Sequence, residues 1–89
     1  MDRFEHGTCI IMADRGHVWI CRSAVETPKW LHLHNARIIR RWGTEAGLNS
    51  LVSGPRNETI LDAPAPIVSV AMRAVIAIIP CTGGWDGHV

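Results

Sequence analysis

Seven residues, Lys29–Asn35, alternate without interruption: Trp30, His32 and His34 fall on one side, Leu31 and Leu33 on the other. A helix cannot present period two over that length, whereas a strand with one buried and one wet face does so by construction. This segment therefore constrains the chain to build at least part of a sheet. Its neighbours extend the reading. Thr8–Ala13 is a short apolar run that ends in Asp14-Arg15-Gly16, a turn signal, and His17–Val25 follows with high β-propensity. Two strands joined by a tight Gly-containing turn predict a hairpin. Val18, Ile20 and Ala24 are expected to share one face. Thr27-Pro28 breaks the chain before the alternating segment, and Arg37–Arg41 either continues that strand or bends out of it.

The character changes after Trp42. Thr44 can cap a short helix running to Val52, Glu45 suits its positive end, and Leu48, Leu51 and Val52 form one face. Gly54 and Pro55 stop it, while Gly47 weakens it. Arg56–Pro66 reads as a polar loop. Ile67–Ala71 and Ala74–Ile79 are two β-branched runs separated by Met72-Arg73, and they are expected to form a final strand pair. Five short strands with one short helix predict a mainly β fold, a small SH3- or Sm-like five-stranded barrel, whose closure would remove exposed edges.

An 89-residue chain holds one domain, 1–89, with an ordered core over about 7–80 and a Gly-rich tail, 81–89, that is mobile unless Trp85 docks. Charged residues are 19% of the chain, below the usual ~25%. So short and weakly charged a chain is expected to bury surface against copies of itself. The net charge of +1 tells against a broadly basic nucleic-acid coat. Three cysteines without paired spacing, Cys9, Cys21 and Cys81, and a charged start without an apolar leader suggest reduced thiols and a cytoplasmic location. The longest apolar run, Ala74–Ile79, is too short to span a bilayer.

The sharpest chemical constellation is Arg40-Arg41-Trp42-Gly43-Thr44 leading into the expected helix. Arginine forks hold phosphate by charge-assisted bonds, an indole stacks on a base, glycine lets backbone approach closely, and a helix start favours anions. Arg56 and Asp62 join as secondary candidates from a loop. Asp62 either orients an arginine, accepts from a sugar hydroxyl, or stabilises the turn before Pro64. A structural alternative has Trp42 as a packing anchor and the two arginines paired with Asp62 or Glu58. Consecutive strand residues face opposite sides, so only a bend lets both arginines reach one ligand. His32 and His34 lie close enough to share a metal, but no spacing resembles a zinc motif, so no metal and no cofactor is assigned. No Ser elbow, phosphate loop or metal-hydrolase motif is present, and the chain reads as a binder, not an enzyme.

The run Ile38-Ile39-Arg40-Arg41-Trp42-Gly43-Thr44, followed by Gly47-Leu48, Leu51, Gly54-Pro55, Thr59 and Leu61-Asp62, resembles a signature of small uncharacterised phage and mobile-element proteins. Val68–Ile79 with Cys81 and Trp85 resembles their ending, so the resemblance covers roughly residues 8–85. A weaker resemblance is to Sm-like barrels. Met72-Arg73-Ala74 stands where those carry an Arg-Gly pair, which tells against Sm-type RNA binding. Phage kinship implies a set of jobs: inhibitors that dock on host defence proteins, minor virion parts, nucleic-acid accessories, and oligomeric sponges that trap nucleotide signals. The leading expectation is a homo-oligomer that captures a nucleotide-like anionic small molecule. The alternatives are a protein-docking inhibitor or virion component, and a single-stranded nucleic-acid-binding barrel.

Overall fold

The computed structural model describes residues 3–44 and 47–89. The fold is mainly β, with seven strands: β1 Phe4–His6, β2 Cys9–Ala13, β3 His17–Glu26, β4 Trp30–Arg41, β5 Ile60–Leu61, β6 Ala65–Ala71 and β7 Val75–Pro80. Short 3-10 segments span Asp14–Gly16, Leu48–Ser53 and Met72–Ala74. No helix among the described residues is long and apolar enough to cross a membrane.

The expected hairpin is β2–β3. It turns at Arg15, whose φ of 64° sits in the left-handed region, and pairs Cys9 with Cys21 through Ala13 with His17. Strand β4 behaves as its alternation requires: Leu31 and Leu33 are fully buried while Trp30 stays exposed. Burying each leucine contributes about 1.5–3 kcal/mol, which fixes the register of the strand.

Strand β4 continues through Arg41, but its alternation changes phase at Asn35, where φ is 52°. Leu33 and Ala36, three residues apart, both enter the same core. Opposite them in β3, Cys21 and Ala24 make the same three-residue step. The two-strand ribbon therefore bends at one point across both strands. This corrects one expectation: Val18 and Ile20 face a second core, whereas Ala24 faces the first. Asn is one of the few side chains that adopts a left-handed backbone at low cost, which explains the placement of the bend.

Each side of the sheet thus has its own core. The first gathers Cys9, Ile11, Leu31, Leu33 and Val70, with Trp19 packed at its border. The second gathers Ile10, Val18, Ile20 and Ile39 with Leu48, Leu51 and Trp85. The tail packs on this second core through Trp85. Trp85 is only 2% exposed and donates its indole N–H to the Leu51 carbonyl at 2.8 Å. Thr82 N–H bonds the Val52 carbonyl at 2.7 Å, and Arg37 and Arg22 donate to the carbonyls of His88 and Val89. Gly84 lies against Ser53 so closely that a Cβ would stand 1.8 Å from the Ser53 oxygen, and its φ of 80° also favours glycine.

The five-stranded barrel requires correction. Strands β6 and β7 do not pair with each other: β6 pairs with β4, and β7 pairs with β2. The Met72–Ala74 segment turns a corner, so the two runs go to different neighbours and do not fold back as a hairpin. The strand order is β5-β4-β3-β2-β7, with β1 on β3 and β6 on β4, and among the described residues the sheet does not close. The expected helix is likewise shorter. It is a 3-10 segment over Leu48–Ser53, entered from Gly47 at φ 91° with no side-chain cap, and Thr44 lies outside it. Glu45, expected at the helix start, lies outside the described residues.

The thiols of Cys9 and Cys21 face each other at 3.5 Å in the first core, and all three cysteines are free. Cys21 is pushed well up by its hydrogen bond with Cys9 and by burial. Burial also raises half-buried Cys81, to about 11. At pH 8 its thiolate fraction is then on the order of a thousandth. A thiol-reagent time course on native protein should label Cys81 about a hundredfold more slowly than an unfolded control. Cys21 is slower still, and Cys9, although its bond with Cys21 lowers its pKa, is slow because its side chain is buried. Rapid labelling of two or more thiols would contradict the described packing.

Candidate functional site

Strand β4 runs past the body of the sheet, and its end carries the Arg-Arg-Trp-Gly-Thr segment against the 55–62 loop. Two ladder pairs tie it there, Ile39 with Leu61 and Arg41 with Ile60. Between them the register shifts: two steps along β4 match one step along β5. Such a bulge bends a strand and re-aims its side chains. Consecutive residues Arg40 and Arg41 consequently line one open hollow of about 710 Å³, together with Trp42, Gly43, Thr44 and Glu58. The bend that the sequence required for a shared site is present.

Each arginine has an acidic neighbour. Arg40 Nε donates to Asp62 Oδ1 at 2.6 Å, and an Arg41 terminal amino group donates to Glu58 Oε1 at 3.2 Å. The carboxylate of Asp62 holds the Arg40 guanidinium further above its already high ordinary value. Arg40 and Arg41 remain 68% and 61% exposed, so water and salt screen both pairs. The remaining donors of each guanidinium make no bond among the described residues. Trp42 lines the hollow, is 37% exposed, and has its backbone pinned, for the Thr59 hydroxyl donates to the Trp42 carbonyl at 2.6 Å. Of the expected roles for Asp62, orientation of an arginine is the one its carboxylate occupies. Its backbone also serves, since the Asp62 carbonyl accepts from Arg37 Nε at 2.6 Å.

Gly43 is the hinge of the arrangement. Its φ is 74°, and a Cβ there would stand 2.4 Å from both the Glu58 carbonyl carbon and the Thr59 nitrogen. Only glycine allows the end of β4 to lie this close to the loop. Thr44 is joined to Ser50, whose hydroxyl donates to the Thr44 oxygen at 3.1 Å. Arg56 does not line the hollow with the other two arginines. Its side chain donates to the Ser50 carbonyl at 2.9 Å, and it lines an adjoining hollow of about 430 Å³ with Gly43, Thr44 and Glu58.

Two loop residues carry more than the sequence assigned them. Thr59 accepts from the Arg56 N–H at 2.8 Å while it holds Trp42, and Glu58, expected as a counter-charge, also forms part of the wall. An ST-type turn within Arg56-Asn57-Glu58-Thr59 was the available signal. The six-residue 3-10 segment offers no anion site at its start, which removes the helix-terminus element from the expected chemistry. His32, considered earlier as a metal ligand, is hydrogen-bonded to the Ser69 hydroxyl at 2.8 Å. No cluster of three or more metal-capable side chains occurs among the described residues. Comparison with known proteins finds no matching family model, no matching curated protein and no matching solved structure.

Proposed function

We propose that the chain is a non-catalytic binding protein that captures a nucleotide-like anionic small molecule in the Arg40–Thr44 hollow. The observation that carries this reading is the bulge between Ile39 and Arg41, which aims two consecutive arginines into one hollow beside an exposed indole. An anionic group engages the unused guanidinium donors, and the ring of the ligand stacks on Trp42. Asp62 and Glu58 hold the two forks in place before the ligand arrives, which lowers the ordering cost of binding. Because both pairs are exposed, the ligand displaces little to bind.

The protein works as a homo-oligomer in this reading. Among the described residues strands β6 and β7 each pair along one edge, and Ile67 and Ile76 stand exposed on them. Exposed apolar side chains on edge strands favour self-association. The resemblance to phage proteins gives the biological setting: a decoy that sequesters a host signalling nucleotide in the cytoplasm. Under the same reading, β2, β3, β4, β6 and β7 are the five strands of an SH3-like bent arrangement, with β1 and β5 as short extensions.

Isothermal titration against cyclic nucleotides and ADP-ribose derivatives tests the assignment. The double variant Arg40→Ala/Arg41→Ala should bind roughly tenfold or more weakly than the parent, as expected when charged hydrogen bonds are lost. Unchanged affinity in that variant would sink the assignment.

A further inference from the structure

A second concave site lies at the opposite end of β4, and its chemistry differs from that of the Arg40 hollow. Thr27–Trp30 forms the turn between β3 and β4, with Pro28 pre-setting its first central position. Thr27 N–H bonds the Trp30 carbonyl at 2.8 Å, and the Trp30 N–H returns to the Thr27 hydroxyl at 3.1 Å. The β6–β7 corner docks against this turn, where Met72 N–H donates to the Lys29 carbonyl at 2.9 Å. Backbone bonds thus build a pocket of about 430 Å³ lined by Pro28, Lys29, Trp30, Ala71, Met72 and Arg73.

Three properties of this pocket point to a ligand. Trp30 is 47% exposed, leaving a large flat ring in water, where burial would be favourable. Both cations lack an acidic partner: Lys29 and Arg73 make no ion pair among the described residues, and no carboxylate lines the pocket. Further along the same outer face, the pair after Trp30–Ala71 is His32–Ser69, hydrogen-bonded side chain to side chain. Two residues along a strand span about 6.6 Å, within reach of a nucleoside placed on Trp30. The pocket volume also falls in the range of small-ligand sites.

An anionic peptide would satisfy the cations but would leave the indole face without a flat partner. A base carrying a phosphate satisfies both at once. We infer that the Trp30 pocket is a second binding site, which takes a nucleotide unit with its base stacked on Trp30 and its phosphate held by Lys29 and Arg73. This site shares no residue with the Arg40 hollow and stands independently of the function assigned to that hollow. The unit can be a free mononucleotide or part of a single strand.

The test uses the full chain with two probes: AMP by titration calorimetry, and a 5′-fluorescein oligothymidylate of about ten residues by anisotropy. Trp30→Ala should weaken binding roughly tenfold, and Trp30→Phe should retain most of it, because stacking tolerates any aromatic ring. Lys29→Ala with Arg73→Ala should reduce the slope of log affinity against log salt for the oligonucleotide by about 1.4, or ~0.7 per phosphate contact on a single strand. The Arg40 hollow is itself assigned a nucleotide-like ligand, so the Trp30 and Lys29/Arg73 variants are also made in the Arg40→Ala/Arg41→Ala background. The binding that remains there reports the Trp30 site alone and separates failure of this site from failure of the other. All the substituted side chains are exposed, so far-UV circular dichroism and urea midpoints should match the parent. Binding of both probes through Trp30 supports the site with a free nucleotide as sufficient ligand, and binding of the oligonucleotide alone supports it with a strand as the source. Binding of neither probe overturns the inference. Affinity indifferent to Trp30→Ala does so as well, as does an emission change that is absent in Trp30→Phe and responds to protein concentration and not to ligand, since a second copy of the chain would then cover the pocket.

Discussion

Trp85→Ala should lower the unfolding free energy by about 3–5 kcal/mol, the range for emptying an aromatic from a core. For a domain of this size that is a large share of the total stability, typically ~5–15 kcal/mol. The physical content is twofold. Removing the indole uncovers Ile10, Val18 and Ile20 on the second side of the sheet and takes away one of the two donors to the Leu51 carbonyl, which keeps the Gly54 N–H at 3.1 Å. Trp85→Phe separates these terms: it keeps most of the apolar contact and loses the hydrogen bond, for about 0.5–1.5 kcal/mol, since the Leu51 carbonyl retains its Gly54 donor. Urea denaturation followed by circular dichroism measures both variants. An unchanged midpoint in Trp85→Ala would mean that the tail does not close the second core.

Gly43→Ala should damage stability and binding together, and by more than its single methyl suggests. The backbone at φ 74° costs an L-residue roughly 1–2 kcal/mol before any contact is considered. The added Cβ then meets Glu58 and Thr59 backbone atoms, which have no flexible side-chain end to yield. Relief requires the end of β4 to part from the loop, which breaks the Thr59–Trp42 bond and separates Arg41 from Glu58. A loss of at least ~2 kcal/mol in stability is expected, with nucleotide affinity reduced roughly tenfold or more. The same two assays read both effects. A variant that loses stability but binds normally would show that the closeness of strand and loop serves the fold alone.

The sequence made β4 and the first hairpin legible because burial of one strand face writes period two directly into residues such as Leu31 and Leu33. The pattern failed at Asn35, since a left-handed residue changes the phase without changing composition. The open sheet was hidden for a different reason. Both β6 and β7 read as strands, yet their partners depend on the Met72–Ala74 corner, and an apolar run does not encode its neighbour. Trp85 was recognisable as a candidate anchor, but the apolar surface it covers is assembled from β2, β3 and the 3-10 segment, far apart in the chain. At the candidate site, the residue types were legible and the geometry was not. Whether Arg40 and Arg41 share a hollow depends on the bulge, which arises from pairing with Ile60–Leu61 some twenty residues later. The helix expected after Thr44 is a six-residue 3-10 segment because Gly47, at φ 91°, stands at its N-cap in a conformation that an α-helix does not use.

Whether the chain forms an oligomer that holds a nucleotide-like anion is read from native mass spectrometry of the purified protein before and after gentle denaturation, and again after incubation with cyclic nucleotides and ADP-ribose derivatives. Oligomer masses carrying a discrete, releasable adduct are expected, with the number of adducts per chain reduced in Arg40→Ala/Arg41→Ala and any remainder removed by Trp30→Ala. A clean mass without adduct across the whole panel would contradict the proposed capture.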